Sequence, residues 1–243
     1  IKRIIESGKT NKVPGPDHIP MEYYKSHFRE IGKFLVEHYN EIHKQGYLPD
    51  TLKMGIICLI FKNKGSVADL ANYRPITLLN VDLKIMTAMI AGRLAKVMCE
   101  VSDADNTAGA PGRYITDNTM LLQLIQAFLD NEDKPGYAFF HDIMKCFDNI
   151  SWECINLVIS HLGFGADMTR WIGTLYNMNH PVKRAAIVNG NMTGWFEIIK
   201  SIAQGDAVSS ILQVLIFEPM SRALNKAMYK GIIIPSLSEI DGR

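Results

Sequence analysis

Eight consecutive apolar residues, Met54 to Phe61 (MGIICLIF), stand between Lys53 and Lys62. A run that is short, uninterrupted and bounded by charges reads as a buried strand. It falls far short of the roughly 20 residues needed to cross a bilayer, and the N-terminal IKRIIESGKT lacks a signal-peptide core. The expectation is a soluble, intracellular chain of the cytoplasm or nucleus, with no membrane partner.

Around that strand the sequence alternates helical periods with short extended runs. Apolar residues at helical spacing (Tyr24, Phe28, Ile31, Phe34, Leu35, Tyr39, Ile42) predict a helix over 21–45, opened by the turn-rich VPGPDHIP and closed by Gly46 and Pro49. A polar loop over 62–72 leads to YRPITLLN and then to a helix over about 81–99, whose apolar face holds Ile85, Met86, Met89, Ile90, Leu94 and Val97. A loop rich in Asp, Ala and Gly over 102–113 precedes a helix over about 117–130. Residues 136–143 (GYAFFHDI) read as a strand, 151–163 and 168–177 as helices, and 181–189 and 194–199 as strands joined by the hairpin turn Asn189-Gly190-Asn191. A last helix over about 207–230 is followed by GIIIP. The irregular order favours an α+β fold over a doubly wound parallel sheet.

With 243 residues, 47% of them hydrophobic and 21% charged, the chain can bury a core, which excludes disorder as its main state. Four cysteines with no Cys-x-x-Cys pair exclude a disulfide framework and a cysteine zinc site. The net charge of +1 speaks against binding polyanions through bulk charge, but the average conceals +5 over residues 1–100 and −4 over residues 101–243. A basic half beside an acidic half suits a protein that holds phosphates with one part and cations with the other. The chain starts at Ile1 and stops just after an apolar stretch, which suggests a fragment.

The segment FFHDIMKCFD, residues 139–148, carries the most chemistry. A carboxylate at the end of a hydrophobic strand is placed by a rigid element yet reaches solvent, as an ion-holding group must. Alternation sets Ala138, Phe140 and Asp142 on one face and Phe139, His141 and Ile143 on the other. On its own, Asp142 reads first as a turn former that ends the strand, and Asp148 as the cap of the next helix.

Here the sequence resembles the reverse transcriptase domain of non-LTR (LINE-type) retrotransposons. That family's strand motif runs hydrophobic-x-Asp-x-x-Lys-Ala-Phe-Asp, and Asp142, Lys145, Phe147 and Asp148 fall at matching positions, with Cys146 in place of Ala. Other matches follow in order along nearly the whole chain: Pro14-Gly15-Pro16-Asp17, Leu48-Pro49, Tyr73-Arg74-Pro75-Ile76, Pro111-Gly112-Arg113, Asp117-Asn118, Gly163-Phe164, Val188-Asn189-Gly190, Gln204-Gly205 and Glu218-Pro219.

The resemblance implies a right-hand polymerase, with residues 1–130 fingers-rich and 131–243 a partial palm. Its partners are an RNA template, a DNA primer and deoxynucleoside triphosphates. It implies Mg²⁺ held by Asp142, the catalytic carboxylate, with the Ile143 carbonyl. Phe147 stands where family members crowd the sugar 2′ position. Arg74, with Lys62 or Lys64, is expected to hold the triphosphate, a guanidinium making bidentate contacts and an ammonium acting as a point charge. Gln204-Gly205 would let the backbone approach template-primer or nucleotide, and Arg113 would meet template phosphate.

The match breaks at two places. Around Gln204 the family reads Arg-Gln-Gly-Cys-Pro-Leu-Ser-Pro; here Ala203, Asp206, Ala207, Val208 and Ser210 depart from it, and Gln213-Val214 replaces an aromatic-Asn pair. Losing Arg and gaining Asp206 is expected to make a polyanion-facing surface less positive. The family's Ala-Asp-Asp hairpin does not follow GIIIP before Arg243. Thumb and last catalytic hairpin are accordingly expected to be missing. The expected function is an RNA-directed DNA polymerase domain present as an incomplete copy with little or no activity alone. The alternative is a non-catalytic nucleic-acid-binding remnant.

Overall fold

The structure is a computed structural model and describes residues 1–104, 106–107, 112–136, 138 and 140–229. In chain order the first half forms α1 (Lys2–Ser7), α2 (Met21–Ser26), α3 (Phe28–Gln45), the single turn α4 (Asp50–Lys53), β1 (Met54–Phe61), β2 (Tyr73–Leu79), α5 (Val81–Leu94), the short α6 (Met98–Val101) and α7 (Ile115–Asn131). The second half forms the single turn α8 (Cys146–Asn149), α9 (Trp152–His161), α10 (Ala166–Leu175), β3 (Val182–Val188), β4 (Asn191–Met192), β5 (Phe196–Ile198) and α11 (Ala207–Tyr229).

The apolar run 54–61 is β1 over its full length, and it is a central strand. β2 pairs with it antiparallel, from Gly55 opposite Leu79 to Phe61 opposite Tyr73. β3 pairs with its other edge in parallel, from Met54 opposite Lys183 to Cys58 opposite Ile187. β4 and β5 both pair antiparallel with the far edge of β3, which completes a mixed five-stranded sheet. The antiparallel β2 returns the chain to the end of the sheet where β3 begins, Leu79 and Arg184 both lying opposite Gly55, and the connection between them carries α5 to α10. Asn189 and Gly190 both have positive φ, 50° and 78°, the geometry of the two-residue hairpin turn read from their sequence.

Pro75 lies inside β2, which works only because β2 is an edge strand. The Thr77 N–H points outward, to the Gln204 carbonyl at 3.1 Å. By strand alternation the position of the missing Pro75 N–H is on that outer side as well, so no rung of the β1–β2 ladder is lost.

The core lies beneath the sheet. Ile85, Met86, Ile90 and Leu94 of α5, Ile155 and Ile159 of α9, Ile172 of α10 and Leu212 and Leu215 of α11 are all at or near full burial. By length and composition α11 could cross a membrane; in this fold its apolar face packs on α5 and α9, and Glu218 within it is fully buried.

Three expectations need correction. The helix over 21–45 is two helices, broken at His27 (φ −107°, ψ 16°), where Ser26 turns its hydroxyl back to the Glu22 and Tyr23 carbonyls. The helix over 81–99 stops at Leu94 and resumes as α6. Residues 136, 138 and 140–143 are not a strand, while Tyr137 and Phe139 of that expected strand lie outside the described residues. A strand needs a neighbour for its N–H and C=O groups, and no β-pairing reaches the described part of this segment. The alternation of faces argued for Asp142 and Ile143 therefore does not apply. GIIIP lies outside the described residues.

Candidate functional site

Two families of contacts bring distant motifs together. The first is structural. Asn80, buried at the end of β2, accepts the Asp17 N–H on Oδ1 at 3.2 Å and donates from Nδ2 to the Thr51 carbonyl at 3.0 Å. Gly15 sits so close to Asn80 and Leu79 that an added Cβ would collide with their backbone. The Pro-Gly-Pro-Asp segment is thus a seal over the end of β2. Glu218 plays the matching part for the loop after α6: its fully buried carboxylate accepts the Asp103 N–H at 3.0 Å on each oxygen and the Arg222 Nε at 2.8 Å.

Arg113 belongs to the same structural set. Its guanidinium donates to the Ser102 hydroxyl (3.1 Å) and to the carbonyls of Asp103 (2.5 Å) and Asn106 (2.8 Å), tying Arg113 back to the residues that follow α6. The expected contact with template phosphate gives way to this one, since the donors aimed into the loop are already engaged.

The second set of contacts makes a pocket. The segment 200–202 runs antiparallel beside 147–151: the Ser201 N–H donates to the Ile150 carbonyl (2.7 Å) and the Ile202 N–H to the Phe147 carbonyl (2.9 Å). Trp152 locks the pair by donating Nε1–H to the Ser201 carbonyl at 2.7 Å. Gln204 follows directly and is pinned to β2 through Thr77. These pairings set Asp148 and Gln204 beside the open end of the β1–β2 hairpin.

The result is a surface pocket of about 340 Å³ whose polar lining comprises Lys62, Arg74, Lys145, Asp148 and Gln204. Three cations, one carboxylate and one amide leave it net positive, as a triphosphate site requires. Lys62 reaches it because its backbone N–H closes the hairpin on the Asn72 carbonyl (2.8 Å), while its Nζ rests on the Ala71 carbonyl (2.9 Å). Arg74 is exposed and its side chain makes no hydrogen bond or ion pair among the described residues, so its five donors face solvent. Lys145 has a left-handed backbone, φ 49° and ψ 47°, an uncommon conformation for a residue with a side chain.

The expected site residues therefore separate. Lys62, Arg74 and Gln204 converge from two distant parts of the chain. Lys64, exposed on the loop tip, does not line the pocket. Gly205 adjoins it with φ +105° against the Thr77 carbonyl, a conformation that side chains strain to adopt. Phe147 is half-buried against the core and gives its carbonyl to Ile202. Asp142 and Ile143 lie exposed in irregular backbone outside the pocket. Sequence reasoning named Lys145 and Asp148 as motif matches but gave neither a place in the pocket; their spacing from Asp142 was the available signal.

Asp206 is also placed differently from its expectation. It turns inward, its carboxylate accepting the Thr87 hydroxyl, and lines an inner cavity of about 190 Å³ with Arg184 and Tyr176. Burial pushes its pKa up to about 6, against the opposing pull of Thr87, the Ala207 N–H, Lys84 and Arg184. Its charge is met inside the fold by Lys84 and Arg184 and does not confront a polyanion at the surface.

Residues 60–235 match the family described as reverse transcriptase (RNA-dependent DNA polymerase), more than half of the chain, and the chain belongs to that family. It is 27% identical over 224 residues to the transposon TX1 uncharacterized 149 kDa protein of Xenopus laevis, covering 92% of this chain and 17% of that protein. It is 28% identical over 153 residues to a probable RNA-directed DNA polymerase from transposon X-element of Drosophila melanogaster, covering 62% of this chain and 17% of that protein. The chain thus spans about a sixth of the length of these curated relatives. The reading as a non-LTR retrotransposon reverse transcriptase domain is borne out, and the mixed sheet is consistent with it.

Reverse transcriptases bind nucleic-acid templates and nucleotides and as a family depend on divalent metal. Tested against that need, the described residues do not assemble a metal centre. No three His, Cys, Asp or Glu side chains among them come together to hold an ion, and Asp142 offers a single exposed carboxylate.

Proposed function

We propose that the pocket of Lys62, Arg74, Lys145 and Gln204 receives the triphosphate of an incoming deoxynucleotide in an RNA-directed DNA polymerase domain of a retroelement. The single observation that carries this is the convergence in one pocket of cations from the β1–β2 hairpin, a lysine from the Asp142 motif and the amide before α11. Arg74 supplies the bidentate phosphate contact, and Lys62 and Lys145 supply point charges. Gly205 lets the Gln204 backbone come close to the ligand.

In this reading residues 1–130 are fingers-rich and 131–243 contribute palm. The partners are RNA template, DNA primer and deoxynucleoside triphosphates. Phe147 is the residue proposed to crowd the sugar 2′ position, and Asp142 with the Ile143 carbonyl would offer Mg²⁺ one carboxylate and one carbonyl, short of a full ligand set. An intracellular setting, cytoplasm or nucleus, goes with four cysteines of which none is in a disulfide among the described residues.

Photocrosslinking with an azido-dATP tests the site directly. The account expects adducts on 62–75, 145–148 and 204–205 that excess dATP suppresses; adducts confined elsewhere would overturn it. The position of Asp142 outside the pocket favours a second reading, binding without turnover. Primer extension on an RNA template with Mg²⁺ separates the two: extension abolished by Asp142→Ala supports the polymerase, and binding that weakens with salt and Arg74→Ala but ignores Asp142→Ala supports the non-catalytic form.

A further inference from the structure

The surface pocket and the inner cavity share three wall residues, Pro75, Asp148 and Gln204. Gln204 therefore faces both, and what holds it decides whether its amide is presented outward. On one side its carbonyl accepts the Thr77 N–H at 3.1 Å. On the other side Gly205, at φ +105°, turns the chain so that the next side chain enters the inner cavity. That side chain is Asp206, which meets Thr87, a residue of α5 only 1% exposed.

We infer that Asp206 is a positioning residue for Gln204: its carboxylate, bonded to the Thr87 hydroxyl, anchors the Gln204-Gly205 turn to α5 and so fixes the amide in the pocket wall. The inference rests on the nucleotide reading above and adds to it the group that sets the wall. The anchor suits the task because an ionised carboxylate is a stronger acceptor than the Lys84 carbonyl, 3.2 Å away, that competes for the same hydroxyl.

The groups that face Asp206 come from every element packed around it: Lys84 and Thr87 on α5, Arg184 on β3, Tyr176 after α10 and the Ala207 N–H at the start of α11. Arg184 is itself held, donating to the Lys53 carbonyl at 2.7 Å and the Lys183 carbonyl at 2.9 Å. Burial lowers the Lys84 pKa and brings that of Arg184 down to about 10, against the opposing pull of Asp206. Arg184 therefore remains a charged partner at neutral pH.

The test is Thr77 amide hydrogen exchange read by NMR, together with calorimetric titration of dATP and Mg²⁺, on the whole chain as wild type, Asp206→Asn, Asp206→Ala and Thr87→Val. Asparagine still accepts the Thr87 hydroxyl, so Asp206→Asn keeps Thr77 protection and dATP affinity within about twofold. Asp206→Ala and the near-isosteric Thr87→Val each speed Thr77 exchange and weaken dATP binding by roughly tenfold. Wild-type protection of Thr77 in both of those variants overturns the anchor. Lost protection with unchanged dATP affinity overturns its link to the pocket. A wild-type chain that binds no dATP overturns the nucleotide reading, and Thr77 exchange still decides the anchor.

Discussion

The Thr77 N–H donates to the Gln204 carbonyl at 3.1 Å, so the outer edge of β2 and the turn before α11 form one hydrogen-bonded unit. Arg74 stands three residues before Thr77 on that edge strand, and Gly205 follows Gln204 directly. A change in the turn is therefore felt by the strand that carries Arg74, the proposed phosphate contact.

Gly205→Ala should show this coupling. At φ +105° a Cβ is strained whatever the room around it, and the expected loss is about 1–3 kcal/mol. Urea denaturation should report that loss, and Thr77 exchange should accelerate with it. Full stability in Gly205→Ala would show that the turn relaxes freely.

Asp206 gives a pH signature of stability. Its folded pKa, about 6, lies above the ordinary 3.8, so the folded chain binds the proton more tightly than the unfolded one. Its contribution is then fully present below the unfolded pKa and is lost as pH rises through about 6. The loss amounts to about 3 kcal/mol at most. Unfolding free energies at pH 4 to 7 should show Asp206→Asn gaining on wild type across that window; a constant difference between the two proteins contradicts the assignment.

Much of this was legible in the sequence, for identifiable reasons. The bounds of β1 follow from the charges that flank its apolar run, and the β3–β4 turn from Asn189-Gly190, whose residue types suit positive φ. The break at His27 was hidden because Tyr24, Phe28 and Ile31 keep helical spacing across it. The segment 136–143 has the composition of a strand, but composition does not supply the neighbour a strand must pair with. Lys62 and Lys64 are equivalent as residue types in a polar loop; only the hairpin closure between Lys62 and Asn72 tells them apart. The inward turn of Asp206 depends on Thr87, which is 119 positions away in the chain.

Glu218 should be structurally demanding. Glu218→Ala strands the Asp103 N–H and the Arg222 guanidinium, and removing one partner from a buried, hydrogen-bonded charge is expected to cost about 3 kcal/mol, less whatever half-exposed Arg222 recovers from solvent. Glu218→Gln keeps an acceptor for Asp103 and should lose clearly less. Equal stability of the two variants would remove the carboxylate clamp from the account.

Asn80→Ala should be similarly costly, because it removes the acceptor for Asp17 and the donor to Thr51 at a buried position. The expected loss is about 1–3 kcal/mol, with increased proteolysis near 14–20 as the Pro-Gly-Pro-Asp segment lifts. Unchanged cleavage there would show that the segment is held by other contacts.

The central claim is that the pocket, and not the general basicity of the first hundred residues, binds triphosphate. Calorimetric titration of dATP with Mg²⁺ into wild type, Arg74→Ala and Lys64→Ala tests it most directly, since each variant loses one exposed positive charge. The account predicts that Arg74→Ala weakens binding by roughly 10- to 100-fold while Lys64→Ala stays within about twofold. Equal losses in the two variants, or no loss in Arg74→Ala, would contradict it.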